Sequence, residues 1–141
     1  MHRRKFFKTS IALGGIGIVG TAAFIESCSK NTPNTSPQGP TVNFTLDLTQ
    51  QANAPLNTSG GSVYSNGVIV ANTGNNTFVA VAEACTHAGC NINYNLSQND
   101  FVCPCHGGTY DVNGNVTSGP PPAPLKKYTV TKSGHVLTIS G

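Results

Sequence analysis

The segment Cys85-Thr86-His87-Ala88-Gly89-Cys90 is followed, after twelve intervening residues, by Cys103-Pro104-Cys105-His106-Gly107-Gly108. The two hexapeptides hold four of the chain's five cysteines and two of its four histidines. Each offers both thiol and imidazole, so the pair asks for a metal site with mixed sulfur and nitrogen ligands.

Three readings of these residues compete. Structural zinc takes four ligands tetrahedrally and commonly mixes Cys and His at C-x(2–4)-C spacing. The spacing here, C-x-H and C-x-C-H, is tighter, and six candidate ligands are more than one zinc needs. A purely structural pair of disulfides would leave both histidines unexplained. A two-iron, two-sulfide centre with two histidines on one iron takes two cysteines and two histidines as ligands and leaves two cysteines to bridge the loops. Only the third reading uses all six residues.

C-T-H-A-G-C and C-P-C-H-G-G resemble the two cluster-binding loops of Rieske iron–sulfur proteins, C-x-H-x-G-C followed later by C-x-C-H. The resemblance covers about Ala82 to Leu125. It implies Cys85 and Cys103 as thiolate ligands of the inner iron and His87 and His106 as imidazole ligands of the outer iron. It also implies a disulfide between Cys90 and Cys105. That cysteine pair is absent from low-potential Rieske ferredoxins and ring-hydroxylating dioxygenases. The chain is therefore similar to the respiratory type found in cytochrome bc complexes and in the small subunit of arsenite oxidase. A disulfide also demands an oxidising compartment.

The expected cofactor is a [2Fe–2S] cluster whose oxidised form is neutral, because two imidazoles replace two thiolates. Adding an electron is easier than for a doubly negative four-cysteine cluster, which places the potential in the range of ~ −150 to +300 mV. Hydroxyl donors to sulfur raise it further by stabilising the more negative reduced state. In the respiratory type a serine after C-P-C-H-G and a tyrosine two positions on are such donors. Tyr110 stands at the tyrosine position, whereas Gly108 replaces the serine, which implies a potential in the middle of the class. Ala88 replaces the leucine that many quinol-oxidising members carry.

The N-terminus reads as targeting. Arg3-Arg4-Lys5-Phe6-Phe7-Lys8 precedes an apolar run from Ile11 to Ile25 and resembles a twin-arginine export signal, the route for proteins already folded around a cofactor. Ile25-Glu26-Ser27-Cys28 resembles a bacterial lipobox, making Cys28 a candidate lipidation site and accounting for the odd cysteine. The alternative is an uncleaved apolar anchor, short of the ~20 residues a spanning helix needs. Residues 1–28 are thus assigned to the signal and 29–40, polar with three prolines, to a tether. Fully extended at ~3.3 Å per residue, the tether would reach ~40 Å.

Residues 41–141 form one domain by size. Past Cys28, four lysines (Lys30, Lys126, Lys127, Lys132) balance Asp47, Glu83, Asp100 and Asp111, which gives no general argument for nucleic acid. The pattern is all-β. Residues 42–48 alternate apolar and polar, 68–71 and 78–81 are β-branched apolar runs, and 128–131 with 136–139 make a hairpin about Ser133-Gly134. Asn66-Gly67 and Asn113-Gly114 are turn signals. No helical periodicity follows the leader. The expected architecture, a Rieske-like fold, is small antiparallel sheets stacked as a sandwich or incomplete barrel, with both cluster loops at one end.

Gly119-Pro120-Pro121-Pro122-Ala123-Pro124 resembles the Gly-Pro loop that covers the cluster in this family, with Gly119, Pro120 and Pro124 as the covering residues. Fixed φ angles suit a rigid shield. His2 and His135 read as ordinary solvent-facing residues. The expected function is a membrane-tethered one-electron carrier outside the cytoplasmic membrane of a bacterium, within a respiratory chain. Its partner would be a redox protein such as a cytochrome, with quinol as a further possible donor. The rivals are a subunit of a quinol-oxidising cytochrome bc complex or other oxidoreductase, and a zinc-stabilised binding module. No substrate pocket is identifiable from the sequence, and those complexes would supply the partner chain.

Overall fold

The computed structural model describes residues 37–141. The export signal, the lipobox at Cys28 and residues 29–36 of the tether lie outside the described residues.

Alternation and turn chemistry generate the strands where the sequence places them. In β1 (Asn43–Asp47) and its flanks, Leu46 and Leu48 are buried, Val42 and Phe44 half-buried, and Asn43 and Thr45 exposed. Two strands, β2 (Ser62–Ser65) and β3 (Val68–Gly74), are joined by Asn66 and Gly67, both at positive φ (53° and 78°). This two-residue hairpin geometry is why Asn-Gly is favoured there. Val68 to Ala71 are all fully buried, with the 3-10 turn Gln51–Asn57 lying against β2 and β3 and burying Leu56. That turn carries Pro55 and is too short to leave a helical period in the sequence. The next strand is β4 (Thr77–Ala82).

β4 pairs directly with β9 (Lys127–Ser133), Ala80 facing Tyr128 and Val81 facing Lys127, although 44 residues separate the two strands in sequence. β9 turns through Gly134 and His135 into β10 (Val136–Ser140), which pairs with β1. All pairings are antiparallel, giving a six-stranded sheet in the order β1-β10-β9-β4-β3-β2.

The segment between β4 and β9 is an insertion that leaves the large sheet and returns to the adjacent strand. It forms a four-stranded antiparallel meander of β5 (Asn93–Asn95), β6 (Asp100–Val102), β7 (Thr109–Asp111) and β8 (Val116–Ser118). These three-residue strands are too short for alternation to register, and the sequence reading has no strand there. Ile92, Phe101, Tyr110 and Leu125 of the insertion are buried in one cluster with Val68–Ala71 and Leu137 of the large sheet. Burying each such side chain contributes ~1.5–3 kcal/mol relative to exposure. Tyr64 on edge strand β2 adds a polar link by donating to Ile92 O at 2.9 Å. Among the described residues no helix is long and apolar enough to cross a membrane.

Candidate metal centre

Both cysteine/histidine loops are built on the same backbone pattern. In the first, Cys85 N–H donates to Cys90 O (2.8 Å) and Gly89 N–H donates back to Cys85 O (2.8 Å). In the second, Cys103 N–H donates to Gly108 O (2.7 Å) and Gly107 N–H to Cys103 O (2.9 Å). Gly89 and Gly107 sit at φ of 72° and 71°, and a Cβ on either would meet nothing within 4 Å. Conformation, not space, demands glycine at these two places. The first loop is closed at its base by Ile92 N–H donating to Glu83 O, the second by the pairing of Val102 with Thr109.

The pattern sorts the side chains by depth. Cys85 (3 % exposed) and Cys103 (1 %) are buried free thiols, whereas His87 and His106 are exposed. The two imidazoles meet edge to face, with Nδ1 of His87 3.2 Å from Nδ1 of His106. Two nitrogens ~2.1 Å from one tetrahedral ion would stand ~3.4 Å apart. The spacing fits a shared metal for the two imidazoles; two buried thiols and two exposed imidazoles are the donor types of a histidine-ligated cluster, although among the described residues no three of them converge on one point. Cys90 and Cys105 are joined as a disulfide, Cα–Cα 6.4 Å, which ties the loops together as the resemblance implied.

Tyr110 reaches the inner half of the site. It is fully buried on β7, and its hydroxyl lies 3.3 Å from Cys85 Sγ. Burial pushes the phenol up to about 12, with the Cys85 hydrogen bond acting in the same direction, so the group stays protonated and available as a donor. Burial also raises the Cys85 thiol, but hydrogen bonds from Tyr110, the His87 and Ala88 backbone and Cys103 outweigh it, and the net shift is downward.

Thr86 is a participant that sequence reasoning missed. Its N–H donates to the Tyr110 hydroxyl (3.1 Å), and its own hydroxyl donates to Ala123 O (2.7 Å) while lying 3.1 Å from the Tyr110 oxygen. With the Thr86 proton committed to Ala123, the single Tyr110 proton has two acceptors, Cys85 Sγ and Thr86 Oγ1. Nothing in C-T-H shows that the threonine faces inward.

The residues of the proline loop differ in their surroundings. Gly119 (φ 88°) lies against Gly108, since a Cβ on it would stand 2.7 Å from Gly108 Cα. Pro120 is exposed, and Pro124 offers its carbonyl to Gln38. The buried members are Pro121 and Ala123. A Cβ on Gly108 would lie 2.6 Å from Pro121 Cγ, so a serine cannot be placed there without displacing that ring. Thr109 does not replace the missing hydroxyl, because its Oγ1 pairs with Thr117 Oγ1 at 2.7 Å.

The tip as a whole carries no formal charge. Residues 84–99, 101–110 and 112–125 contain no Asp, Glu, Lys or Arg.

The Rieske [2Fe-2S] domain family matches residues 44–129, more than half of the chain. The cytochrome b6-f complex iron-sulfur subunit of Chlorobaculum thiosulfatiphilum is 44% identical over 73 residues, covering 52% of this chain and 40% of that protein. The subunit of the same name from a Cyanothece species is 54% identical over 56 residues, 40% of this chain and 31% of the relative. The chain thus spans about two fifths or less of the length of these curated relatives. Among solved structures, the cyanobacterial plasma membrane Rieske protein from Synechocystis PCC 6803 superposes with a TM-score of 0.53 at 30% identity, over 72% of this chain and all of that one.

Proposed function

From the premise that this chain belongs to the Rieske [2Fe–2S] family, we propose that it is a one-electron carrier, held at a membrane by its N-terminal segment and serving a respiratory chain. Cys85 and Cys103 would hold the inner iron, and His87 and His106 the outer. When bound, the cluster supplies a single site that accepts and returns one electron. The observation that carries this reading is the depth gradient of the donors, buried thiols behind two exposed imidazoles.

The surrounding residues fit that task. His87 and His106 are exposed at a tip without formal charge, so they are the natural contact for a partner. A quinol hydroxyl is one such contact, and a cytochrome surface would serve as acceptor. Tyr110 donates toward Cys85 Sγ and Thr86 fixes Tyr110, which together favour the more negative state. The disulfide and the Gly108–Gly119 contact hold the loops still. A tip without charge offers no electrostatic steering, so encounter depends on shape and the imidazoles.

The relatives named as cytochrome b6-f iron-sulfur subunits support a second reading, in which the chain works inside a quinol-oxidising cytochrome complex. Ala88 in place of a bulky residue leaves the first loop less covered and favours the free carrier.

The purified protein should contain two irons and two sulfides, absorb in the visible, and have a potential within ~ −150 to +300 mV. Stoichiometric zinc without colour would refute the assignment. Its electron exchange with a soluble cytochrome should vary less than about twofold as the Debye length shrinks from ~30 to ~10 Å. Cell fractionation of the full chain and Cys28→Ala tests the tether: equal release of both into the soluble fraction would remove lipidation at Cys28.

A further inference from the structure

Residues 38–40 look like the end of a tether by composition, yet they are stitched onto the domain. Gln38 N–H donates to Pro124 O (3.0 Å) and Lys126 N–H donates to Gln38 O (2.8 Å), forming a parallel bridge beside Leu125. Pro40 O accepts from the Tyr128 hydroxyl (2.7 Å) and from Lys126 Nζ (3.2 Å). Between them Gly39 has no room for a side chain. A Cβ there would lie 2.6 Å from the Tyr128 hydroxyl oxygen and 2.8 Å from Cβ of Ala82 and of Lys126.

The same three residues wall a mostly apolar cavity of about 580 Å³, whose other lining includes Cys85, Thr86, Pro122 and Ala123. The strap therefore meets the metal centre in two ways. Through space it lines the same open cavity as Cys85. Through bonds it holds Pro124, whose neighbour Ala123 accepts the Thr86 hydroxyl, and Thr86 in turn orients Tyr110 on Cys85.

We infer that Gln38-Gly39-Pro40 is a positioning strap, which pins the base of the proline loop and, through Ala123, Thr86 and Tyr110, the hydroxyl that faces Cys85. The inference rests on the proposed ligand role of Cys85 for its second half only. Release of the strap loosens Ala123 and Thr86, and with them the Tyr110 hydroxyl that favours the more negative state, so it lowers the potential.

Gly39→Val, which forces a Cβ against Tyr128, and Tyr128→Phe, which deletes a donor to Pro40, test this in the full-length holoprotein. Hydrogen exchange should quicken at the Lys126 amide by at least about tenfold in Gly39→Val, and less in Tyr128→Phe, which loses fewer contacts. The Leu137 amide of β10 should keep its parental rate. The midpoint potential should move downward in the same order. A parental Lys126 rate in Gly39→Val would overturn the strap. Faster exchange with an unmoved potential and visible spectrum would overturn its coupling to Cys85. If the protein holds no cluster at all, the ligand assignment fails, and the exchange rates still decide whether the strap pins the loop.

Discussion

Gly108→Ser is the substitution on which a reading from motifs and a reading from geometry part. By motif it restores a hydroxyl donor and raises the potential. By geometry the new Cβ would stand 2.6 Å from Pro121 Cγ and 2.7 Å from Pro121 Cδ. Ordinary carbon–carbon contact begins near ~3.5 Å, so the ring or the second cluster loop must give by roughly 0.9 Å. Pro121 lies between two further prolines with fixed φ and cannot swing aside alone. Overpacking of this kind costs ~1–3 kcal/mol. For a domain of this size that is a melting temperature lower by roughly 10 °C, taking ~4–8 °C per kcal/mol. Pro121→Ala removes both offending atoms, so Gly108→Ser/Pro121→Ala should recover most of the loss. The coupling energy would be ~1–2 kcal/mol in a double-mutant cycle. Thermal unfolding followed by circular dichroism measures all four proteins. A Gly108→Ser protein melting within about 2 °C of the parent, or a double variant no better than the single, would refute the steric argument. Only the double variant is a fair test of a hydroxyl donor at position 108.

Tyr110→Phe keeps the buried ring but deletes the hydroxyl 3.3 Å from Cys85 Sγ, so film voltammetry at fixed pH should show a lower potential; an unchanged value would mean the hydroxyl does not act on the cluster. The same variant leaves Thr86 N–H without its acceptor and should lose ~1–3 kcal/mol of stability. Cys90→Ser opens the bridge spanning 15 residues, which should reduce stability by ~3 kcal/mol and speed cluster loss to a chelator, with the colour initially present. A colourless Cys90→Ser protein would instead mark Cys90 as a ligand. Burial raises the Asp111 carboxyl, but hydrogen bonds from the Asn115 side chain and from the Asn115 and Asn113 backbone, with Lys127 adding, hold it below the usual carboxylate range. A depressed carboxyl stabilises the fold above its unfolded value of ~3.9, and the stability is lost as pH falls through the lower folded value. The melting-temperature gap between the parent and Asp111→Asn should therefore close on acidification below about pH 4, whereas a gap independent of pH would rule out the carboxylate as its cause.

Local chemistry marked out the centre, and the family resemblance named it. C-T-H-A-G-C and C-P-C-H-G-G stand out because thiols and imidazoles at short range are visible in the residues themselves, whereas the positive φ of Gly89 and Gly107 appeared only in the structure. The alternation over residues 42–48 and the Asn66-Gly67 turn were likewise readable from the residues. The meander β5–β8 was not, since three-residue strands are held by their neighbours and leave no period. Nor did the sequence show that residues 83–126 form an insertion between adjacent strands β4 and β9, a fact of pairing at long range. Thr86 on Tyr110, Pro121 over Gly108 and Gln38 beside Leu125 join residues 24, 13 and 87 positions apart. Such contacts depend on how loops from different elements stack, and a side chain's own chemistry does not encode its neighbour across a fold. The sequence by itself supplied the clustered thiols and imidazoles and the family resemblance; tertiary packing decided which hydroxyl faces Cys85, which proline lies against Gly108 and that residues 38–40 are bonded to the domain.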